Sequence, residues 1–283
     1  MKLRKEGAEI FVPDGLPVEE ALPRTTHLGI GAHQDDLEIM TYHGILQCFG
    51  VPDKWYTGVV CTNGSGSPRD GLYADYSDEE MMDIRRAEQK KAAVVGDYAA
   101  QLLLNWTSKE LRDPQDPNPR ADLVDILMAT KPQFVYTHNF ADKHTTHIGA
   151  VSRTVEAIRE LDRADRPEKL YGCEVWRDLD WVLDSEKVQF DVAGHENLEM
   201  ALLGVFDSQD VGGKRYDLAS LGRRRAHATY AESHGVDATT SMMFAMDLTP
   251  LIEDDNLDPR DLVQQHIDHF AAEVRANMDA ILR

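Results

Sequence analysis

The chain has 283 residues, 42% of them hydrophobic, and 30 Lys and Arg against 50 Asp and Glu leave a formal net charge of −20. That length and apolar content allow one large α/β domain or two small ones, while the acidity excludes nucleic acid and an anionic membrane surface as expected partners, since little is available to neutralise a run of phosphates. No apolar run approaches the roughly 18 residues of a membrane span, and the N-terminal Met1–Glu6 stretch lacks the apolar core of a signal peptide, so a cytoplasmic protein is expected.

Residues 1–24 carry mixed charge with Pro13, Gly15 and Pro17 close together, and read as an N-terminal arm ahead of a single domain over 25–283. The first strand is expected at about 25–32, with a helical pattern from Leu37 to Phe49 opening directly behind it. Tyr56–Thr62 reads as the second strand. The Asn63–Pro68 stretch that follows lacks the spacing of a P-loop or dinucleotide fingerprint and reads as a flexible loop at the sheet edge. Ser77 with Asp78, Glu79 and Glu80 has the form of a helix N-cap, and the helix should run to Gly96. Short strands at Gln101–Asn105, 133–138 and Leu170–Trp176 alternate with helices at Ala121–Thr130 and Thr145–Leu161. This alternation predicts a Rossmann-like, doubly wound, mostly parallel sheet with helices on both faces.

The remainder is expected to be more helical, with helices over Glu196–Phe206, Tyr216–Glu232 and Asp258 to about Leu282. In the last helix Leu262, Val263, Ile267, Phe270, Val274, Met278 and Ile281 recur at helical spacing, which reads as core packing, with an oligomer contact as the alternative. Cys48, Cys61 and Cys173 are too sparse and too widely spaced for a disulfide framework or a zinc knot and read as buried thiols.

Two strand ends carry the chemistry. The apolar run Leu28–Ala32 stops at His33-Gln34-Asp35-Asp36, and Phe134–His138 is followed by Asp142, His144 and His147. If the strand order reverses beside the first strand, both ends open on one crevice, which is where open α/β sheets bind ligands. A spacing of three brings His33 and Asp36, and likewise His144 and His147, to one side of the backbone. Two imidazoles and one carboxylate with a fourth position left for water form a catalytic rather than a structural zinc set.

The His33-Gln34-Asp35-Asp36 turn, with Glu38 two residues on, resembles the A-H-P-D-D signature of the LmbE/PIG-L family of zinc-dependent N-acetylglucosaminyl deacetylases. Thr137 to His147 resembles that family's T-H-x-x-x-D-x-H-x-D-H segment. The Thr62-Asn63-Gly64 turn, Arg85-Arg86-Ala87-Glu88, Ser208-Gln209 and Tyr230-Ala231-Glu232 follow in the family's order, so the resemblance covers residues 25 to about 235. It implies one zinc ion per chain bound by His33, Asp36 and His147, with Asp35 as general base and His144 as electrostatic stabiliser or acid. The implied substrate is an N-acylated amino sugar or related amine, and the family's habit of assembly allows a homo-oligomer. Gln34 in place of proline, Thr146 in place of an Asp and Asp207 in place of a His before Ser-Gln depart from the family pattern; the last two bear on rate and substrate rather than on the metal.

Arg69, in the glycine-serine loop, is the candidate for a residue reaching substrate. Trp176 and Trp181 read as rim or core packing, with a sugar-stacking platform as the alternative. His138 could support the ligands from behind, and His43, His195, His227, His234, His266 and His269 read as structural or exposed. Two competing functions remain, a metal hydrolase of another bond such as a phosphoester and a non-catalytic small-molecule binder. A two-metal phosphoesterase would need more ligands than the sequence offers, and a binder would need neither Asp35 nor His144.

Overall fold

The computed structural model describes residues 1–282. Eight strands form one sheet: β1 (Glu9–Phe11), β2 (His27–Gly31), β3 (Tyr56–Thr62), β4 (Ala100–Trp106), β5 (Phe134–His138), β6 (Lys169–Cys173), β7 (Lys187–Asp191) and β8 (Met242–Asp247). Their spatial order is β1-β4-β3-β2-β5-β6-β8-β7. The stretch from β4 to β6 is parallel throughout, and the order reverses at β2, which pairs with β3 on one side and β5 on the other. The expected doubly wound sheet is therefore present, with antiparallel strands added at both ends.

Alternating apolar residues divide the core between the two faces of the sheet. Val59, Leu102, Leu104 and Val135 face one layer, where Leu123, Ile126, Val151 and Ile158 pack from the Asn118–Thr130 and Thr145–Glu160 helices. Val60, Leu103 and Tyr136 face the other, against Ile45, Ala92 and Leu202 from the Tyr42–Cys48, Asp78–Val95 and Glu196–Leu203 helices. Gly29 in β2 is required by close approach, because a Cβ there would lie 1.9 Å from the Tyr56 hydroxyl. That hydroxyl is fixed by Thr41 Oγ1 at 2.5 Å. The expected cap of the Asp78–Val95 helix is a complete capping box, with Ser77 and Glu80 each bonded to the other's backbone N–H.

Several expectations are corrected. The helix read over Leu37–Phe49 is two, Asp36–Met40 and Tyr42–Cys48, broken at Thr41, whose hydroxyl turns back to the Leu37 carbonyl at 2.8 Å. The arm is woven into the domain, since β1 pairs with β4 and Leu3 enters the core. The chain beyond residue 176 is mostly helical, as expected, and it also supplies β7 and β8, which the sequence pattern does not place; β8 extends the sheet from β6 and pairs with β7. The Pro259–Ile281 helix forms, capped by Asp258, but its apolar stripe is not core. Only Leu262 is buried, and Ile267, Phe270, Val274 and Met278 are exposed. All three cysteines are buried and free. Among the described residues no helix is long and apolar enough to cross a membrane.

His43, on the Tyr42–Cys48 helix, stacks on Phe190 at 4.0 Å and meets the Tyr136 hydroxyl at 3.1 Å. Burial, with a smaller contribution from Lys54, lowers its pKa to about 4. The unfolded chain therefore takes up this proton first, and the stability His43 contributes is present above its ordinary value and lost as pH falls towards 4. His43→Phe keeps the stack and removes the titration. Between about pH 7 and about pH 5 the wild type should lose roughly 1–2 kcal/mol more unfolding free energy than His43→Phe, read by denaturant titration.

Candidate metal and active site

The carboxyl ends of β2 and β5 meet. Directly after β2 the chain turns through His33–Asp36, with Asp35 in the left-handed backbone region at φ 85°, a conformation Asp and Asn tolerate better than other side chains. Asp36 Oδ2 closes the turn by accepting the His33 N–H at 2.6 Å. After β5 a short loop leads to the Thr145–Glu160 helix, which carries His147 in its first turn. His33 Nδ1 lies 3.2 Å from His147 Nε2 and 3.3 Å from Asp36 Oδ2, and His147 Nε2 lies 3.5 Å from Asp36 Oδ1. Donors bound tetrahedrally to one ion at about 2 Å would be about 3.3 Å apart, and each of these separations is close to that, with Asp36 meeting His33 through one carboxylate oxygen and His147 through the other.

Two overlapping groups of potential ligands share His147, namely His33-His144-His147 and Asp36-His138-His147, each with donor atoms within 4.8 Å of one another. His138 is fully buried and stacked on His147 at 3.9 Å, and its Nε2 accepts the Ala32 N–H at 2.9 Å. That hydrogen bond occupies the lone pair a metal would need and makes His138 a support for the β2–β5 junction. His144 stands edge-on to both His33 and His147, with ring centroids 5.0 and 4.6 Å away.

Sequence reasoning assigns Asp142 no role, although it lies in the segment that resembles the family pattern. Its Oδ2 meets His147 Nδ1 at 3.2 Å and accepts the Trp176 N–H at 3.1 Å, while Oδ1 accepts the His144 N–H at 3.0 Å. It thereby fixes the His147 ring with Nε2 turned to the cluster. Arg85 and Glu88, recognised only as part of a pattern, form a buried chain. Arg85 donates to Asp35 Oδ2 at 2.8 Å, to Glu88 Oε2 at 2.9 Å and to the Gln34 carbonyl. Glu88 in turn accepts from the Ser208 N–H and hydroxyl at 2.7 and 2.8 Å.

The electrostatics separate the adjacent carboxylates. Burial is the largest influence on Asp35 and raises its pKa to about 7, with Asp36 adding and Arg85 opposing. Burial alone would also raise Asp36, but the His147 and His138 imidazoles outweigh it and hold Asp36 well below the usual range. Burial lowers His147 to about 4 and moves His144 below its ordinary value, so both rings are neutral near pH 7 and able to act as ligand or N–H donor.

The cluster opens on a cavity of about 450 Å³, lined among others by His33, Asp35, Asp36, His144, Trp176 and Tyr216. Arg69 is not in that lining. Its guanidinium is engaged by Asp78 and the Ser65 carbonyl, both at 2.5 Å. Thr146 is buried against the cavity, and Asp207 accepts the Tyr73 hydroxyl at 2.6 Å.

Residues 28–158 match the family model described as PIG-L, GlcNAc-PI de-N-acetylase. No match is found among curated proteins. Among solved structures the chain is similar to the conserved protein TT1542 from Thermus thermophilus, at 20% identity and TM-score 0.60 over 78% of this chain and 93% of that one. It is also similar to the N,N'-diacetylchitobiose deacetylase from Pyrococcus horikoshii, at 18% and 0.58 over 78% and 83%. A third similar structure is GalB, the 4-carboxy-2-hydroxymuconate hydratase from Pseudomonas putida, at 15% and 0.57 over 79% and 95%. At these identities the likeness concerns the fold, and a deacetylase and a hydratase share it. The PIG-L match spans both strand ends that build the cluster.

If Asp142 orients His147, Asp142→Asn should weaken zinc binding about 10- to 100-fold in a competition titration against a chromophoric chelator. Unchanged affinity would remove Asp142 from that role.

Proposed function

We propose that this chain is a zinc-dependent deacylase that hydrolyses the N-acetyl amide of an amino sugar or related amine, with one ion held per chain by His33, Asp36 and His147. The observation that carries the reading is the convergence of these three side chains, their nearest donor atoms 3.2 to 3.5 Å apart and Asp36 turned to the two imidazoles through its two oxygens, with the Asp35 carboxylate beside them in the same turn and held away by Arg85. The description of the matching family as a de-N-acetylase supports the reaction class. A zinc ion bound there would supply Lewis acidity to a water molecule and to the amide carbonyl.

The chain's own residues then have separate tasks. Asp35 takes the proton of the attacking water, and its raised pKa of about 7 suits a group that accepts and later returns a proton near neutrality. The His144 imidazole, neutral by burial, donates its N–H to the carbonyl oxygen as negative charge develops there. Asp35 delivers the proton to the departing nitrogen, leaving a free amine and acetate. Arg85 keeps Asp35 oriented, and Glu88 and Ser208 keep Arg85 in place.

Asp35→Asn is the discriminating variant, because Asn tolerates the left-handed backbone at this position. In zinc-loaded protein, acetate release from N-acetylglucosamine derivatives should fall by about 10²–10⁴-fold in kcat, with zinc stoichiometry unchanged. Release at the wild-type rate would rule Asp35 out as the base. Absence of acetate release by the wild type across these substrates would overturn the reading as a whole.

A further inference from the structure

A second chamber of about 200 Å³ adjoins the cavity over the metal cluster, and Ile39, Val175, Trp176 and Tyr216 line both. Trp176 and Tyr216 meet edge to face, with centroids 6.1 Å apart at 84°, and form the partition between the two spaces. The partition is tied to the site, since the Trp176 N–H bonds the Asp142 carboxylate that holds His147. Beyond it the walls are completed by Ala219, Ser220 and Met243, with Glu174, Arg223 and Arg224 also in the lining. Each of these charged groups is engaged by a neighbour and not with the chamber. Arg224 pairs with Glu199 at 2.6 Å, Glu174 with His227 at 3.0 Å, and Arg223 donates to the Val175 carbonyl at 2.6 Å.

We propose that this chamber binds an apolar substituent of the substrate, a short alkyl chain or a single ring, while the amide lies at the metal cluster. A cavity of about 150 Å³ lined by apolar side chains suffices for a benzene ring, so the volume here fits such a group, and the apolar side chains of Ile39, Val175, Trp176, Ala219 and Met243 favour it over a second sugar. Shared walls make the chamber an extension of one site. The inference rests on the deacylase reading for what occupies the larger cavity, and it adds that a substrate bearing only an acetyl group and a sugar leaves part of the site unfilled. The apolar group is carried either on the amine side, as an aglycone, or on the acyl side, as a chain longer than acetyl.

The test compares three ligands: the methyl and hexyl β-glycosides of N-acetylglucosamine, and the methyl β-glycoside of N-hexanoylglucosamine. Their binding to zinc-loaded Asp35→Asn protein is measured by calorimetry, which does not depend on turnover. Each methylene entering the chamber should tighten binding about four-fold, so one of the two hexyl-bearing ligands should bind at least about ten-fold tighter than the methyl glycoside of N-acetylglucosamine. Which one does so identifies the side that carries the apolar group. Adding Ala219→Trp, or separately Met243→Trp, should erase the advantage, with circular dichroism confirming that each variant is folded. Equal binding of all three ligands, or an advantage that survives both filling substitutions, would overturn the proposal. The two readings fail separately. A hexyl advantage in a protein whose wild-type form releases no amine would sink the deacylase reading and keep the chamber, and amine release without a hexyl advantage would do the opposite.

Discussion

The site depends on one buried carboxylate. Asp36 is only 2% exposed, at the end of a strand in the middle of the sheet. Moving an isolated carboxylate there would cost several kcal/mol, and the fold offsets that with the His33 backbone N–H and by setting it against the imidazoles of His33 and His147. The second of those rings comes from the helix after β5, more than a hundred residues along the chain. The order reversal at β2 is therefore an electrostatic requirement as well as a topological one. Without β5 as the neighbour of β2, the carboxylate would be buried without partners.

The short motif segment carries three acidic groups with three different fates, each set by what surrounds it. Asp35 faces a guanidinium, Asp36 faces imidazoles, and Glu38, fully buried, receives only the neutral donors Tyr98 and Gln89, at 2.7 and 2.9 Å. Burial pushes Glu38 up to about 8, so it sits in the core largely as a neutral acid, while Asp36 stays ionised two residues away. The five-residue Asp36–Met40 helix that presents these groups is too short to hold itself in place. Arg224 secures its far end by donating to the Glu38 and Ile39 carbonyls at 2.8 and 2.9 Å, and is itself neutralised by Glu199. The C-terminal Tyr216–Tyr230 helix, which carries no ligand, thus fixes the backbone of the motif from outside the sheet.

What was legible in the sequence was what local pattern encodes. β2, β3 and β5 are apolar runs ending at polar residues, the Ser77 cap is a local signature, and His33, Asp36, His144 and His147 stand at strand ends or the following helix start. The edge strands were harder. β1 has three residues, β7 mixes Lys187, Gln189 and Asp191 with two apolar positions, and β8 reads Met-Met-Phe-Ala-Met-Asp with no β-branched residue. They are strands because a neighbour offers unpaired hydrogen bonds, which is tertiary information. The Pro259–Ile281 stripe shows the converse limit. Periodicity located the helix correctly, but nothing in a helical repeat says whether another element will cover it. Asp142 and Arg69 are the side-chain version of the same lesson, since the value of a charged residue depends on the partner it finds. Asp142 found His147 and Arg69 found Asp78.

A fold shared by a deacetylase and a hydratase cannot choose between them, so function has to be argued from the residues at the strand ends. The departures from the family pattern fall unevenly. Thr146 replaces a carboxylate next to His147, yet the His147 ring already has a carboxylate on its Nδ1 in Asp142, so the ring's orientation does not require an acid at position 146. Asp207 stands at the protein surface, bonded to Tyr73, while Ser208 beside it keeps its two hydrogen bonds to Glu88 and so supports Arg85 and Asp35. Neither departure removes a group from the cluster of His33, Asp36, His144 and His147, or from the buried chain of Asp35, Arg85, Glu88 and Ser208 behind it. A buried charge left without its partner is costly, so that chain stands or falls as a unit, and position 207 can vary because its own side chain is not part of it.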